Sequence, residues 1–136
     1  MKIILAIPFL LFSSLFYAQT ANFEVKVENI KNTGTLYLGV YQKDNFLKKA
    51  TYERKLEVKE SDESVSFEFK DIPVGNYGFM LLLDENNNQE MDFNLIGIPK
   101  EQYGYSNNKF LMREPVFEDV SFLVELQTTE VLIELK

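Results

Sequence analysis

The run Asp71-Ile72-Pro73-Val74-Gly75-Asn76-Tyr77-Gly78-Phe79-Met80-Leu81-Leu82-Leu83 decides the fold. Pro73 presets its own φ and Gly75 can adopt backbone angles that other residues avoid, so the start of the run reads as a turn. Tyr77 follows at the distance from which its hydroxyl can fold back onto that turn, a corner that recurs in β-sandwich domains. The residues after it are apolar without a break, which predicts a central strand covered on both faces.

Outward from this strand the dominant period is two. Phe23, Val25 and Val27 alternate with Glu24, Lys26 and Glu28, and Leu36, Leu38 and Val40 alternate with Tyr37, Gly39 and Tyr41. With Asn32-Thr33-Gly34 between them, these two strands are expected to form a hairpin. Asp44 opens a segment that reads as a short helical turn carrying Phe46, Leu47 and Ala50, while Tyr52 through Val58 reads equally well as a strand. Val65, Phe67 and Phe69 mark the strand before the deciding run. Val120–Leu126 and Thr129–Leu135 supply two more at the end. Between Asp84 and Val116 the periodicity stops, and a connection of that length is unusual in a compact domain unless it carries function. The expected fold is therefore all-β: a single immunoglobulin-like or transthyretin-like antiparallel β-sandwich of about seven strands with one long loop.

Residues 1–18 have the plan of a secretory signal peptide, with Lys2, the apolar run Ile3–Phe12 and the small residue Ala18. The apolar run is shorter than the ~20 residues a membrane span needs, so no span is expected once the leader is cut. On this reading residues 19–136 form one exported domain, periplasmic or extracellular. The chain contains no Cys, so its stability rests on its core rather than on disulfides, and no lipid attachment point follows the leader. A net charge of −7 without a basic cluster makes nucleic acid an unfavourable partner. A cell-envelope protein or a glycan is the expected kind of partner.

The chain has no His. The commonest general base and metal ligand is therefore missing, and with Cys also absent no Ser-His-Asp, Cys-His or usual zinc arrangement can be built. The chain reads as non-catalytic. Acidic pairs such as Glu118-Asp119 or Asp62-Glu63 leave carboxylate-dependent hydrolysis as the remaining enzymatic alternative. A hard cation held by oxygen is the other chemistry that this composition permits. In Asp84-Glu85-Asn86-Asn87-Asn88-Gln89-Glu90-Met91-Asp92, Asp84, Asn86, Asn88 and Asp92 fall at positions 1, 3, 5 and 9 of a helix–loop–helix calcium loop, and Glu90 falls where a backbone carbonyl ligates. Position 6, usually Gly, is Gln89, and position 12, usually a bidentate acid, is Leu95. A further ligand must come from elsewhere, and Glu118 or Asp119 are the candidates. The alternative is an Asn-rich turn that satisfies its own backbone.

Further along, Tyr103, Tyr105, Asn107 and Asn108 combine aromatic faces with directional amides, as a sugar- or peptide-binding loop would. The competing reading packs Ile96, Ile98 and Tyr105 onto the sandwich and leaves Asn107 and Asn108 to bond backbone.

Taken together, Ile72–Tyr77, the Asp84–Asp92 loop, the stretch GIPKEQYGYSNN and Pro115-Val116-Phe117-Glu118-Asp119 resemble the exported bacterial family called domain of unknown function 2141. The resemblance covers Phe23 to about Leu135. It implies export, one sandwich-like domain and a D-x-N-x-N-G-type loop, which Asp84, Asn86, Asn88 and Asp92 match. Gln89 departs from that pattern, because the family carries Gly there.

Overall fold

A computed structural model describes residues 17–136, so most of the leader expectation lies outside the described residues. Eight strands are present: β1 Thr20–Glu28, β2 Gly34–Tyr41, β3 Tyr52–Val58, β4 Val65–Pro73, β5 Gly75–Asp84, β6 Tyr103–Tyr105, β7 Ser121–Val124 and β8 Glu130–Glu134. A 3-10 turn at Lys43–Asn45 and the four-residue helix α1, Phe117–Val120, complete the elements. One sheet has the order β4-β1-β8; the other runs β3-β2-β5-β6, with β7 also paired to β5. This is the expected all-β sandwich.

Its core lies where the two inner faces meet. Along β5 the odd positions Tyr77, Phe79, Leu81 and Leu83 are buried, and Phe79 makes edge-to-face contacts with Phe23 at 6.0 Å and Phe122 at 6.3 Å. Phe23 in turn stacks on Phe69 at 5.4 Å. Burying each such ring contributes about 1.5–3 kcal/mol, and the ring pairs add to that. The even positions Met80 and Leu82 are only half-buried. The unbroken apolar run therefore overstates the covering of the outer face, which is roofed closely near Gly78 by Phe46, Phe117 and Val120. The Tyr77 hydroxyl donates to the Pro73 carbonyl at 2.8 Å, closing the expected corner.

Two topological expectations change. β1 and β2 do not form a hairpin: they lie in different sheets. Both bury one alternating face, a condition that facing sheets meet as well as paired neighbours do. The connection leaves β1 through Asn29 at φ +63°, whose amide donates to the Leu135 carbonyl at 2.6 Å. The sandwich is also not wholly antiparallel, because β8 joins β1 in parallel, Val25 opposite Val131 and Val27 opposite Ile133. Finally, both readings of the 44–58 segment hold in turn, since the 3-10 turn comes first and β3 follows it.

β5 is central, and its second edge is shared. β7 pairs with its first half (Tyr77↔Phe122) and β6 with its second (Leu81↔Gly104). Ser106 fills the gap between them. Its N–H donates to the Phe79 carbonyl at 3.0 Å, its Oγ accepts the Phe79 N–H at 3.1 Å, and the hydroxyl donates to the Val120 carbonyl. The sheets are also stitched along one side. Just past β8, Lys136 N–H donates to the Tyr103 carbonyl at 2.8 Å and Tyr103 N–H returns to Lys136 at 3.3 Å. Gly104 permits this approach, for a Cβ there would lie 2.8 Å from Ile133 Cγ2.

Candidate functional site

At the end of β5 the chain leaves the core through Asp84, whose side chain is almost fully buried at 1 % exposure. Its carboxylate accepts the Gln89 N–H at 2.8 Å and the Asn88 N–H at 3.2 Å, curling the loop back over the strand end. Asn86 Oδ1 accepts the Asn88 N–H at 3.1 Å, and Asn88 Oδ1 accepts the Glu90 N–H at 3.0 Å. The amides of Asn86 and Asn88 both reach the Asp92 carboxylate, the latter at 3.0 and 3.1 Å. The side chains at positions 3, 5 and 9 thus contact one another, and that at position 1 joins the ring through the backbone N–H groups of Asn88 and Gln89. Glu90 is exposed and enters it only through its N–H.

The curl requires left-handed backbone at two places, Asn87 at φ +61° and Gln89 at φ +63°. Gln89 therefore adopts the conformation for which a calcium loop ordinarily uses Gly, at a cost of about 1–2 kcal/mol for a residue with a Cβ.

The acid supplied from outside the ring is Glu101, and neither Glu118 nor Asp119 takes that part. Glu101 is 6 % exposed and lies under the loop, its Oε1 accepting the Glu85 N–H at 3.0 Å and its Oε2 the Asp92 N–H at 3.2 Å. Glu101 is also nearer in sequence, nine residues from Asp92, and the brief turn at 93–99 brings it back beside that residue, through the Phe93–Pro99 bridge and the Lys100 N–H to Asp92 carbonyl bond of 2.8 Å. Glu118 instead pairs with Lys43 at 2.7 Å, an exposed contact that holds its carboxyl below the usual range. Asp119 takes the Arg113 guanidinium through two bonds of 2.7 and 3.2 Å and caps α1 by accepting the Val116 N–H at 3.0 Å. Arg113 first, then that N–H, hold its carboxyl below the ordinary range.

As the side chains stand, no group of three acidic side chains among the described residues forms a ready metal cage. The donor set is nonetheless one that a hard cation accepts: carboxylate and amide oxygens only, with Asp84, Asp92 and Glu101 around a single loop. Each of these oxygens that accepts a single N–H retains a second lone pair; Asp92 Oδ2, which accepts from both Asn86 and Asn88, does not.

The Tyr-Asn segment is mostly spent on structure. Tyr105 is buried, and burial pushes its hydroxyl pKa up. Asn107, which like Asn108 lies at left-handed φ, donates to the carbonyls of Ser121 at 2.9 Å and Asp119 at 3.2 Å. Asn108 donates to the Leu132 carbonyl at 3.0 Å and accepts the Glu134 N–H at 2.9 Å, as a ladder partner for β8 would. Tyr103 keeps a half-exposed ring. Ile96 and Ile98, expected to tuck onto the sandwich if the loop packs, instead point into solvent. Gln102 was not singled out from sequence, yet it is buried and holds the β1–β2 crossing, accepting the Lys31 N–H at 2.8 Å and donating to the Asn29 carbonyl at 2.9 Å.

Fold and loop together define a class: an all-β sandwich whose long connection is clasped by an Asp/Asn ring. The chain belongs to the family described as an uncharacterized protein conserved in bacteria (DUF2141), whose model matches residues 25–132. No curated protein and no solved structure matches it.

Proposed function

We propose that the protein is an exported, non-catalytic β-sandwich whose connection is stabilised by a structural Ca²⁺ held on the 84–101 loop. The observation that carries this reading is Gln89 at φ +63°: the loop keeps the curl that a calcium loop needs although the glycine is gone. Asp84, Asn86, Asn88 and Asp92 would supply side-chain oxygens, and Glu101 the acid that position 12 lacks. The ion would supply charge neutralisation for three carboxylates and a pin for the strand end. Because those oxygens already hold N–H groups, a dissociation constant of about 10⁻⁴–10⁻³ M is expected, a range that serves extracellular modules. Export rests on the leader composition of residues 1–18.

Thermal melts of the protein in excess chelator and in rising Ca²⁺ test the idea. Ligand at ten times its dissociation constant adds about 1.4 kcal/mol, a rise in Tm of roughly 3–8 °C. The rise should saturate, fail with Mg²⁺, and be lost in both Asp84→Ala and Glu101→Gln. A melt indifferent to ~10 mM Ca²⁺ sinks the proposal, the concentration being at least tenfold above the expected constant.

Glycan or peptide binding by Tyr103, Tyr105, Asn107 and Asn108 draws less support, since Tyr105 is buried and the side chains of Asn107 and Asn108 are bonded to backbone. Hydrolysis by Glu118 and Asp119 draws less still, each acid being engaged by its own cation.

A further inference from the structure

The two sides of the sandwich are finished differently. On the β6/β8 side the outward backbone groups are already bonded: Tyr103 and Lys136 exchange N–H to carbonyl bonds, and Asn108 donates to the Leu132 carbonyl and accepts the Glu134 N–H. On the other side β3 ends its sheet, with no strand beyond it among the described residues. β3 is seven residues long, contains neither Gly nor Pro, and keeps an unbroken register with β2. The nearby edge of β4 is interrupted by Asp71 at φ +55° and by Pro73. A long regular edge such as that of β3 is what native proteins blunt unless a strand is to be added to it.

Alternation across the sheet fixes which groups β3 turns outward. The N–H and carbonyl of Phe79 both bond Ser106, on the side of β5 away from β2. Neighbouring residues of an antiparallel strand turn the other way, so Met80 and Leu82 bond β2 through Gly39 and Tyr37. Leu36, Leu38 and Val40 are left to bond β3, opposite Leu56, Arg54 and Tyr52. Glu53, Lys55 and Glu57 therefore point their N–H and carbonyl groups to the open edge. The Glu53 carbonyl takes the Arg54 guanidinium at 2.9 Å. The backbone groups of Lys55 and Glu57 have no partner there among the described residues.

We propose that this edge pairs with the β3 edge of a second copy, antiparallel about a two-fold axis at Leu56. Lys55 then lies opposite the partner's Glu57, and Glu57 opposite the partner's Lys55. Their backbone groups close a short ladder, and opposite charges meet across it. Leu56 shares the inner face with Leu36 yet stays 38 % exposed. In the pair it meets its own copy at a non-hydrogen-bonded position, where side chains approach most closely. Glu53 faces the partner's Lys59. Charges on an edge ordinarily deter pairing, but these select one register. A shift of one residue turns the hydrogen-bonding groups away from each other. A shift of two, in either direction, places like charges on the axis, Lys55 on Lys55 or Glu57 on Glu57. The proposal stands independently of the calcium reading.

Sedimentation equilibrium in chelator, at concentrations up to about 1 mM, tests it, since that range reaches weak interfaces of small area. A monomer–dimer equilibrium should appear. Lys55→Glu and Glu57→Lys should each weaken it at least about tenfold, because two attractive pairs become repulsive. Both side chains are exposed, and cooperative melts will show that the variants fold. An equimolar mixture of the two variants should dimerise again, as opposite charges then face each other across both pairs. Misfolded variants could not do so. Association governed by net charge alone would strengthen in Glu57→Lys, the less acidic variant, and that result overturns the proposal. So does a dimer that both single variants retain. So does a chain that stays monomeric throughout, which would leave the edge to a strand of another protein.

Discussion

Phe79 and Glu101 are both almost wholly enclosed, yet in opposite kinds of company. Phe79 sits among Phe23, Phe122 and the aliphatic faces of two sheets, where any apolar side chain of the right shape would gain. Glu101 sits against two backbone N–H groups of a loop that has no ladder of its own. In the strands, backbone satisfies backbone and side chains only fill space. In the 85–116 connection, side chains do the work of a missing strand: Glu101 and Asp84 for the acidic ring, Asn94 for the turn at 93–99, Ser106 for the break between β6 and β7, Asn108 for the edge of β8. The lesson is that a connection this long can be held firmly without periodicity, provided each freed N–H or carbonyl meets a short polar side chain.

The contrast can be broken or sharpened in three steps. Phe79→Ala should give the largest loss, about 3–5 kcal/mol in denaturant unfolding, because it leaves a cavity between the sheets. A loss under 1 kcal/mol would mean that the ring cluster is not what unites them. Ser106→Ala removes little volume but deprives the Phe79 N–H and the Val120 carbonyl of their buried partner, so about 1–3 kcal/mol should go. Ser106→Thr, which keeps the hydroxyl, should retain more stability than Ala if the hydrogen bonds matter, and less if space does. The smallest effect concerns Arg113→Ala. Asp119 has a carboxyl pKa held below its ordinary value, so its contribution is present above about pH 4, the unfolded value, and is lost as pH falls through the folded one. The stability gap between the protein and this variant should therefore be widest near neutrality and narrow on acidification. The variant should itself keep some pH dependence, since the Val116 N–H still favours the charged carboxylate. Urea melts at several pH values below 7 measure it, and a gap independent of pH would remove the ion pair from the account.

The same contrast explains what could be read from the sequence. Alternation exposes the strands because burial on one face imposes a period of two, and the Pro73–Tyr77 corner carries its own local chemistry. Which sheet a strand joins is not local: β1 and β2 have the same pattern whether they pair or face each other, and the parallel addition of β8 depends on residues far away. At the candidate site Asp84, Asn86, Asn88 and Asp92 were legible because their contacts are short-range and regularly spaced. Glu101 was not, for only the turn at 93–99 brings it back, and its spacing from Asp92 matches no regular element. Ser106 and Gln102 are polar residues in a polar stretch, and nothing in their neighbours announces that both are buried.

One feature of the sheet order also bears on the time course of folding. β1 has β4 on one side, but its other edge is completed only by β8, near the opposite end of the described chain. Contacts of such wide sequence separation form slowly, as their loop entropy must be surrendered before they return any stability. A chain emerging from its N-terminal end would carry β1 with an open edge until Glu130–Glu134 had emerged too. Completion of the smaller sheet is thus tied to the arrival of β8, and premature release would leave behind a strand ready to pair with a stranger.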